Sequence, residues 1–263
     1  MSNANVKKSN TPLLIIGGVL VLAALGGLYW YNLNKPGANT PVANNTKPSP
    51  SKDPAAAKEK AIPPNAPAGA TPPNQAGSPS ATVTLEEFAD FQCGACAAAH
   101  PIMNEIKSIY GTRIHFVFRN NPLSIPAHDK SYDAAVASEA AGMQGKFWDM
   151  QNMLFSNQQA WTAAPTYKQI WKDYAIKIGL DIPKWENDIA GIAAKSRVDS
   201  DLTRGKAIGI SSTPTLFVNG QPVQFADMKV DTLKTIIDGE LAKAVPQKDT
   251  PATAPPPAPA NTN

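Results

Sequence analysis

Regular alternation of apolar and polar positions begins at residue 81. Over residues 81–91, Val83, Leu85, Ala89 and Phe91 fall on one face of an extended segment, and Glu87 interrupts that face. An acid in such company calls for a particular environment. Ile102, Ile106 and Ile109 then recur at helical spacing, and Pro101 inside the run predicts a kink because it lacks an N–H. Residues 113–119, with Ile114, Phe116, Val117 and Phe118, read as a buried strand. Strand, helix, strand in this order predicts a right-handed crossover and a parallel pair. A long helical stretch is predicted over about 127–208, with breaks near Pro165 and Pro183, and its Trp148, Trp161, Trp171 and Trp185 read as packing residues. Residues 215–218 form a short strand, and Asn219-Gly220 predicts a tight hairpin into 221–225, where Pro222 suits an edge. Val230, Leu233, Ile236, Ile237 and Leu241 share one face of a last helix.

Together these elements describe an α/β domain of the thioredoxin-like fold over residues 81–245, with a helical insertion at about 127–208. What flanks it has a different character. Residues 13–31 carry no charge and as a helix span roughly 28 Å, the thickness of a bilayer core. Lys7 and Lys8 precede them, no acid occurs before Asp53, and Tyr29, Trp30 and Tyr31 close the run. That pattern predicts an uncleaved transmembrane anchor over 12–33, with residues 1–11 in the cytoplasm and the rest extracytoplasmic. The apolar run exceeds the roughly 7 to 15 residues of a signal-peptide core. Of the 25 prolines, most crowd between Pro36 and Pro79 or beyond Pro246. Residues 34–80 therefore read as a disordered tether and 246–263 as a disordered tail.

A net charge of +3, with both signs mixed through the folded part, offers no basic stripe and excludes nucleic-acid binding. Two cysteines are too few for a disulfide scaffold or a four-cysteine zinc site. They stand as Cys93-Gly94-Ala95-Cys96. Haem attachment requires a histidine next, and Ala97 stands there. A metal site could recruit His100 only with help from the distant His115 or His128, and a structural disulfide would close too small a loop to add much stability. Lying between a strand and a helix, Cys93 falls at a helix N-terminus, where unpaired N–H groups and the helix dipole favour a thiolate. The spacing therefore points to redox chemistry. Thr213-Pro214-Thr215, just ahead of a strand, is the second candidate element of the site.

Glu87-Phe-Ala-Asp-Phe-Gln-Cys-Gly-Ala-Cys96, Phe116-Val-Phe-Arg-Asn-Asn-Pro-Leu123, Gln144-Gly-Lys-Phe-Trp-Asp-Met150 and Ser212-Thr-Pro-Thr-Leu-Phe-Val-Asn-Gly220 resemble the DsbA family of extracytoplasmic thiol-disulfide oxidoreductases, in its membrane-anchored bacterial form. The resemblance implies that Cys93 is the nucleophile, Cys96 the resolving thiol, Pro214 a cis-proline and Glu87 the acid beneath the site, moving a proton to or from Cys96. Thr213 would offer its backbone to substrate. It further implies no cofactor beyond the Cys93-Cys96 disulfide, cysteine-containing secreted or membrane proteins as substrates, and a quinone-linked membrane oxidase as redox partner. Gly94 and Ala95 depart from the Pro-His or Pro-aromatic pairs usual in the family. Competing readings are a reductase or isomerase kept reduced by a membrane partner, and a tethered chaperone-like module. With no dimerisation domain legible, a monomer is expected.

Overall fold

The computed structural model describes residues 60–244. It begins with β1 (Asn74–Gly77), β2 (Val83–Ala89), α1 (Gly94–Tyr110) and β3 (Ile114–Asn120). Six helices follow: α2 (Ser131–Gly142), α3 (Phe147–Ser156), α4 (Gln158–Thr162), α5 (Tyr167–Lys177), α6 (Ile182–Ala190) and α7 (Ile192–Ile208). The chain closes with β4 (Thr215–Val218), β5 (Gln221–Val223) and α8 (Val230–Ala244). The five strands form one sheet in the order β1-β3-β2-β4-β5. β2 and β3 are parallel, Leu85 facing Phe116, and the other pairings are antiparallel.

The alternation seen in the sequence fills one face of this sheet. Leu85, Phe116, Phe118 and Leu216 pack there against Met103 and Ile106 of α1, Leu154 of α3 and Leu233 and Ile237 of α8. α1 runs unbroken through Pro101. The opposite face of β2 is also covered: Glu86 and Phe88 are buried. Helix α7 lies on it closely enough that a Cβ at Gly205 would meet Asn121 Oδ1 at 2.5 Å. Beneath α7, Glu86 Oε1 accepts from Arg119 Nε at 2.6 Å and from Arg204 Nε at 2.8 Å, and Asp201 takes Arg119 Nη1 at 3.0 Å. Buried charges survive only when paired in this way.

The tether expected over 34–80 does not reach residue 80. From residue 60 the chain lies on the domain, with the Ile62 N–H donating to the Gly220 carbonyl at 2.9 Å and Ala70 buried. β1 pairs with the outer edge of β3, and its Asn74 donates to Glu139 at 2.7 Å. A strand of sequence Asn-Gln-Ala-Gly has no apolar period, because its stability comes from the ladder and the buried acid it meets. A break falls near Pro183 as expected: α5 ends at Lys177 and α6 begins at Ile182, with Pro183 in its first turn, where its missing N–H has no intrahelical partner to lose. Asn219 and Gly220 both have positive φ, as the hairpin requires. The anchor expected over 12–33 and the tail over 246–263 lie outside the described residues. Among the described residues, no helix is long and apolar enough to cross a membrane.

Candidate active site

Cys93 is the N-cap residue of α1, with extended backbone and no side-chain cap bond. The residues leading to it are held from two sides. Asp90, 1% exposed, accepts the N–H groups of Gln92 and Leu123, both at 2.8 Å, and its Oδ2 lies 2.6 Å from His128 Nδ1. From the insertion, Gln158 of α4 donates its amide to the carbonyl oxygens of Phe91 at 2.7 Å and Cys93 at 2.9 Å. Loops that carry a reactive group need such fastening to keep its geometry.

Both cysteines are free thiols in this structure. Across the gap from Cys93, the Thr213-Pro214 peptide bond is cis, and the Cys93 thiol donates to the Thr213 carbonyl at 3.2 Å. Cys96 is fully buried, and the Asp90 N–H points at its sulfur from 3.5 Å. A hydrogen bond from the Cys96 thiol, assisted by the N–H groups of Cys96 and Ala95 at the helix start, draws the Cys93 thiol down to about 5 against the effect of burial. Burial, and then the neighbouring Cys93, push Cys96 far up. One sulfur is thus poised as a thiolate and its neighbour holds a proton.

Glu87 lies between Phe118 and Leu216 in the sheet and is 3% exposed. Burial lifts its carboxyl to about 7, opposed by the Lys107 ammonium of α1. Burial likewise pulls Lys107 down to about 8, and its Nζ sits 4.2 Å over the Trp148 ring. The structure therefore ties Glu87 electrostatically to Lys107, a partner the sequence did not indicate. The histidines go separate ways: His100 to Asn104, His115 to Gln75 and His128 to Asp90. Among the described residues no group of three His, Cys, Asp or Glu side chains is placed to hold a metal ion.

Cys93, Cys96, Thr213 and Pro214 are brought together as the motifs suggested. Asp90, His128 and Gln158 were not anticipated. Asp90 precedes the cysteine pair within the quoted motif and could have been suspected from a polar residue between Ala89 and Phe91. Gln158 carries no local signal. Beside Gly94, a groove of about 520 Å³ runs between Ala97 and Ala98 of α1 and Phe155, Asn157 and Gln158 of the insertion.

Comparison with known proteins places this geometry. The family described as Thioredoxin matches residues 71–239. Among solved structures, BdbD from Bacillus subtilis, in its oxidised form, is similar with a TM-score of 0.53 and 25% identity, covering 67% of this chain and 98% of that one. The thiol-disulfide exchange protein alpha-DsbA2 from Wolbachia pipientis shares the fold, with a TM-score of 0.54 and 20% identity over 64% of this chain and 86% of that one. The Na(+)/H(+) antiporter NhaA 1 of Mycolicibacterium gilvum is 37% identical over 147 residues, 55% of this chain and 23% of the antiporter. The chain thus spans less than a quarter of the length of the curated relatives it matches.

Proposed function

Because the chain belongs to the thioredoxin family and has a DsbA-like fold, we propose that it is a thiol-disulfide oxidoreductase that introduces disulfides into extracytoplasmic proteins. The observation that carries the reading is the unequal sulfur pair: Cys93 near pKa 5 at a helix N-terminus, with a buried, protonated Cys96 behind it.

In the oxidised protein, a substrate thiolate attacks Cys93 Sγ. The Cys93-Cys96 bond breaks, the bonding pair leaves on Cys96, and Cys96 takes up a proton. A second substrate thiolate then attacks the substrate sulfur of the mixed disulfide and expels Cys93 as a thiolate. The substrate loses two electrons and the cysteine pair gains them. A low pKa makes Cys93 the better leaving group, which drives the second step forward. Glu87, near neutrality at about 7, serves as the buried store for the proton that Cys96 gains or loses.

In the oxidised protein Cys93 has no thiol proton to donate to the Thr213 carbonyl, and that oxygen is free to accept from a substrate backbone N–H. The groove beside Gly94 receives the side chains flanking the substrate cysteine. Regeneration of the disulfide falls to a quinone-linked membrane oxidase. The apolar run over 12–33 holds a monomer beside it, with the domain outside a bacterial cell membrane.

The test is to mix the oxidised protein with a reduced substrate containing two cysteines and follow thiol loss by mass spectrometry. One disulfide gained by substrate per protein reduced is expected, with Cys93→Ser and Cys96→Ser both inert, because neither variant can hold the Cys93-Cys96 disulfide. Reshuffling of wrong disulfides by the reduced form, with poor oxidation by the oxidised form, would establish an isomerase instead.

A further inference from the structure

The helical insertion encloses a second cavity that shares no lining residue with the cysteine site. About 460 Å³ in volume, it opens between α2, α5, α6 and the start of α7. Its apolar lining comes from Val136, Ala137, Trp171, Trp185 and Ile189. The volume and the aromatic walls are those of a small-molecule site, which typically spans roughly 300 to 1,000 Å³.

The two tryptophans differ in one respect. The indole N–H of Trp185 donates to the Ala137 carbonyl at 3.0 Å. That of Trp171 has no hydrogen-bond partner among the described residues, although the residue is 2% exposed. The Trp171 ring is fixed edge to face by Trp161 at 5.2 Å and Tyr167 at 4.8 Å. Leaving a buried donor unsatisfied costs about 1–3 kcal/mol, which this ring packing has to offset.

The rim adds a charge imbalance. Lys168 pairs with Asp133 at 3.3 Å and Lys172 with Glu186 at 2.7 Å, so two lysines of α5 reach the neighbouring helices. The third lysine, Lys195 of α7, donates to the Ala190 carbonyl at the end of α6 at 2.9 Å. Three ammonium groups thus meet two carboxylates around an apolar floor.

We propose that this cavity binds an amphipathic monoanion, a carboxylate on a flat aromatic or short hydrocarbon body. The body packs on Trp185, Val136 and Ile189. The carboxylate satisfies the uncompensated charge at Lys195. A cation meets the rim lysines, and a neutral isostere leaves the charge unanswered. The proposal is independent of the redox reading, because no cysteine chemistry enters it.

Calorimetric titration of the full chain in detergent with 4-phenylbutyrate tests it, with 4-phenylbutan-1-ol and 4-phenylbutylamine as isosteric controls and tryptophan emission as a second readout. Saturable one-to-one binding of the carboxylate is expected, about tenfold tighter than the alcohol, equivalent to ~1.4 kcal/mol, with no binding of the amine. Lys195→Ala should weaken binding by roughly fivefold or more, the order of one partly desolvated charge contact, whereas Lys206→Ala, at an exposed lysine outside the cavity, should not. Equal binding of all three probes, the absence of saturable carboxylate binding, or wild-type affinity in Lys195→Ala would each overturn the proposal. A sedimenting dimer whose dissociation is needed before the carboxylate binds would overturn it too, in favour of a second copy of the chain as the occupant.

Discussion

Gln158 donates its side-chain amide to the carbonyl oxygen of Cys93 at 2.9 Å, so the helical insertion grips the backbone of the residue that opens α1. Its other amide hydrogen goes to the Phe91 carbonyl. The insertion is therefore a structural part of the cysteine site, joined to it through a side chain that contacts only main-chain oxygens.

Replacing Gln158 by alanine removes both bonds, while the Cys93 carbonyl keeps the Ala97 N–H. A loss of about 1–3 kcal/mol in unfolding free energy is expected, from roughly 0.5–1.5 kcal/mol per bond. Gln158→Glu, nearly isosteric but with a charge facing two carbonyl oxygens, should cost more. Urea denaturation of the two variants checks the order, and equal stability to wild type would show that the clamp contributes nothing.

The sulfur pair predicts a specific pH behaviour. Cys93 should be alkylated with a midpoint near pH 5, and Cys96 should remain unreactive in the folded, reduced protein. The folded pKa of Cys93 lies below the ordinary thiol value of 9.0. Between about 5 and 9 the unfolded chain holds a proton that the folded chain has released, so the stability of the reduced form rises with pH across that window. The contribution is fully present above 9 and lost as pH falls through about 5. The oxidised form has no such dependence, and thermal melts of both forms at several pH values measure the difference.

A thiolate pKa of about 5 lies between those of the reactive cysteines of thioredoxin, about 7, and DsbA, about 3.5. The reduction potential should accordingly fall between roughly −270 and −120 mV. Equilibration with glutathione buffers, read by alkylation and mass, gives the value. A result below about −270 mV on this scale would remove the ability to donate disulfides.

Glu87 carries the opposite sign. Its carboxyl is raised from 4.5 to about 7, so the folded state keeps a proton that the unfolded state releases over that interval. Stability falls as pH rises from about 4.5 to about 7, and the cost is then constant. Glu87→Gln should therefore be more stable than wild type at pH 8, with the gap closing below about 4.5. The same variant should slow reoxidation of the pair if Glu87 stores the Cys96 proton. An unchanged reoxidation rate across pH 5–9 would confine Glu87 to the core.

A chain starting at residue 81 should be severely destabilised. It would lose the Ala70 carbonyl that accepts from Arg119, the Pro67 carbonyl that accepts from Arg204, and the Asn74 amide that donates to Glu139. Hydrogen bonds to charged groups contribute roughly 1.5–3 kcal/mol each, so the truncated reduced domain should melt well below the full chain. Equal melting temperatures would place residues 60–80 outside the folding unit.

The elements around the cysteines were legible because their signals are local. Val83, Leu85, Phe116 and Phe118 announce buried strands by alternation, and Asn219-Gly220 announces its hairpin by the positive φ both residues adopt. β1 was not legible, since an edge strand whose Asn74 bonds to Glu139 has no pattern of its own. Pro183 marked a helix boundary correctly, because a residue that cannot stand in a helix interior is accommodated in a first turn.

By itself the amino-acid sequence determined the order of strands and helices from residue 81 onward, the placement of Cys93 at a helix start, and the motif that includes Pro214. Each follows from neighbours a few residues apart, whose sterics and periodicity act whatever the rest of the chain does. Only the tertiary structure decided which polar groups meet: Glu86 with Arg119 and Arg204, Asp90 with His128, Gln158 with Cys93, Glu87 opposite Lys107. A polar side chain in an unfolded sequence has water as its partner. Its protein partner, and with it the pKa and rigidity of the site, exists only once packing excludes that water and brings distant segments together.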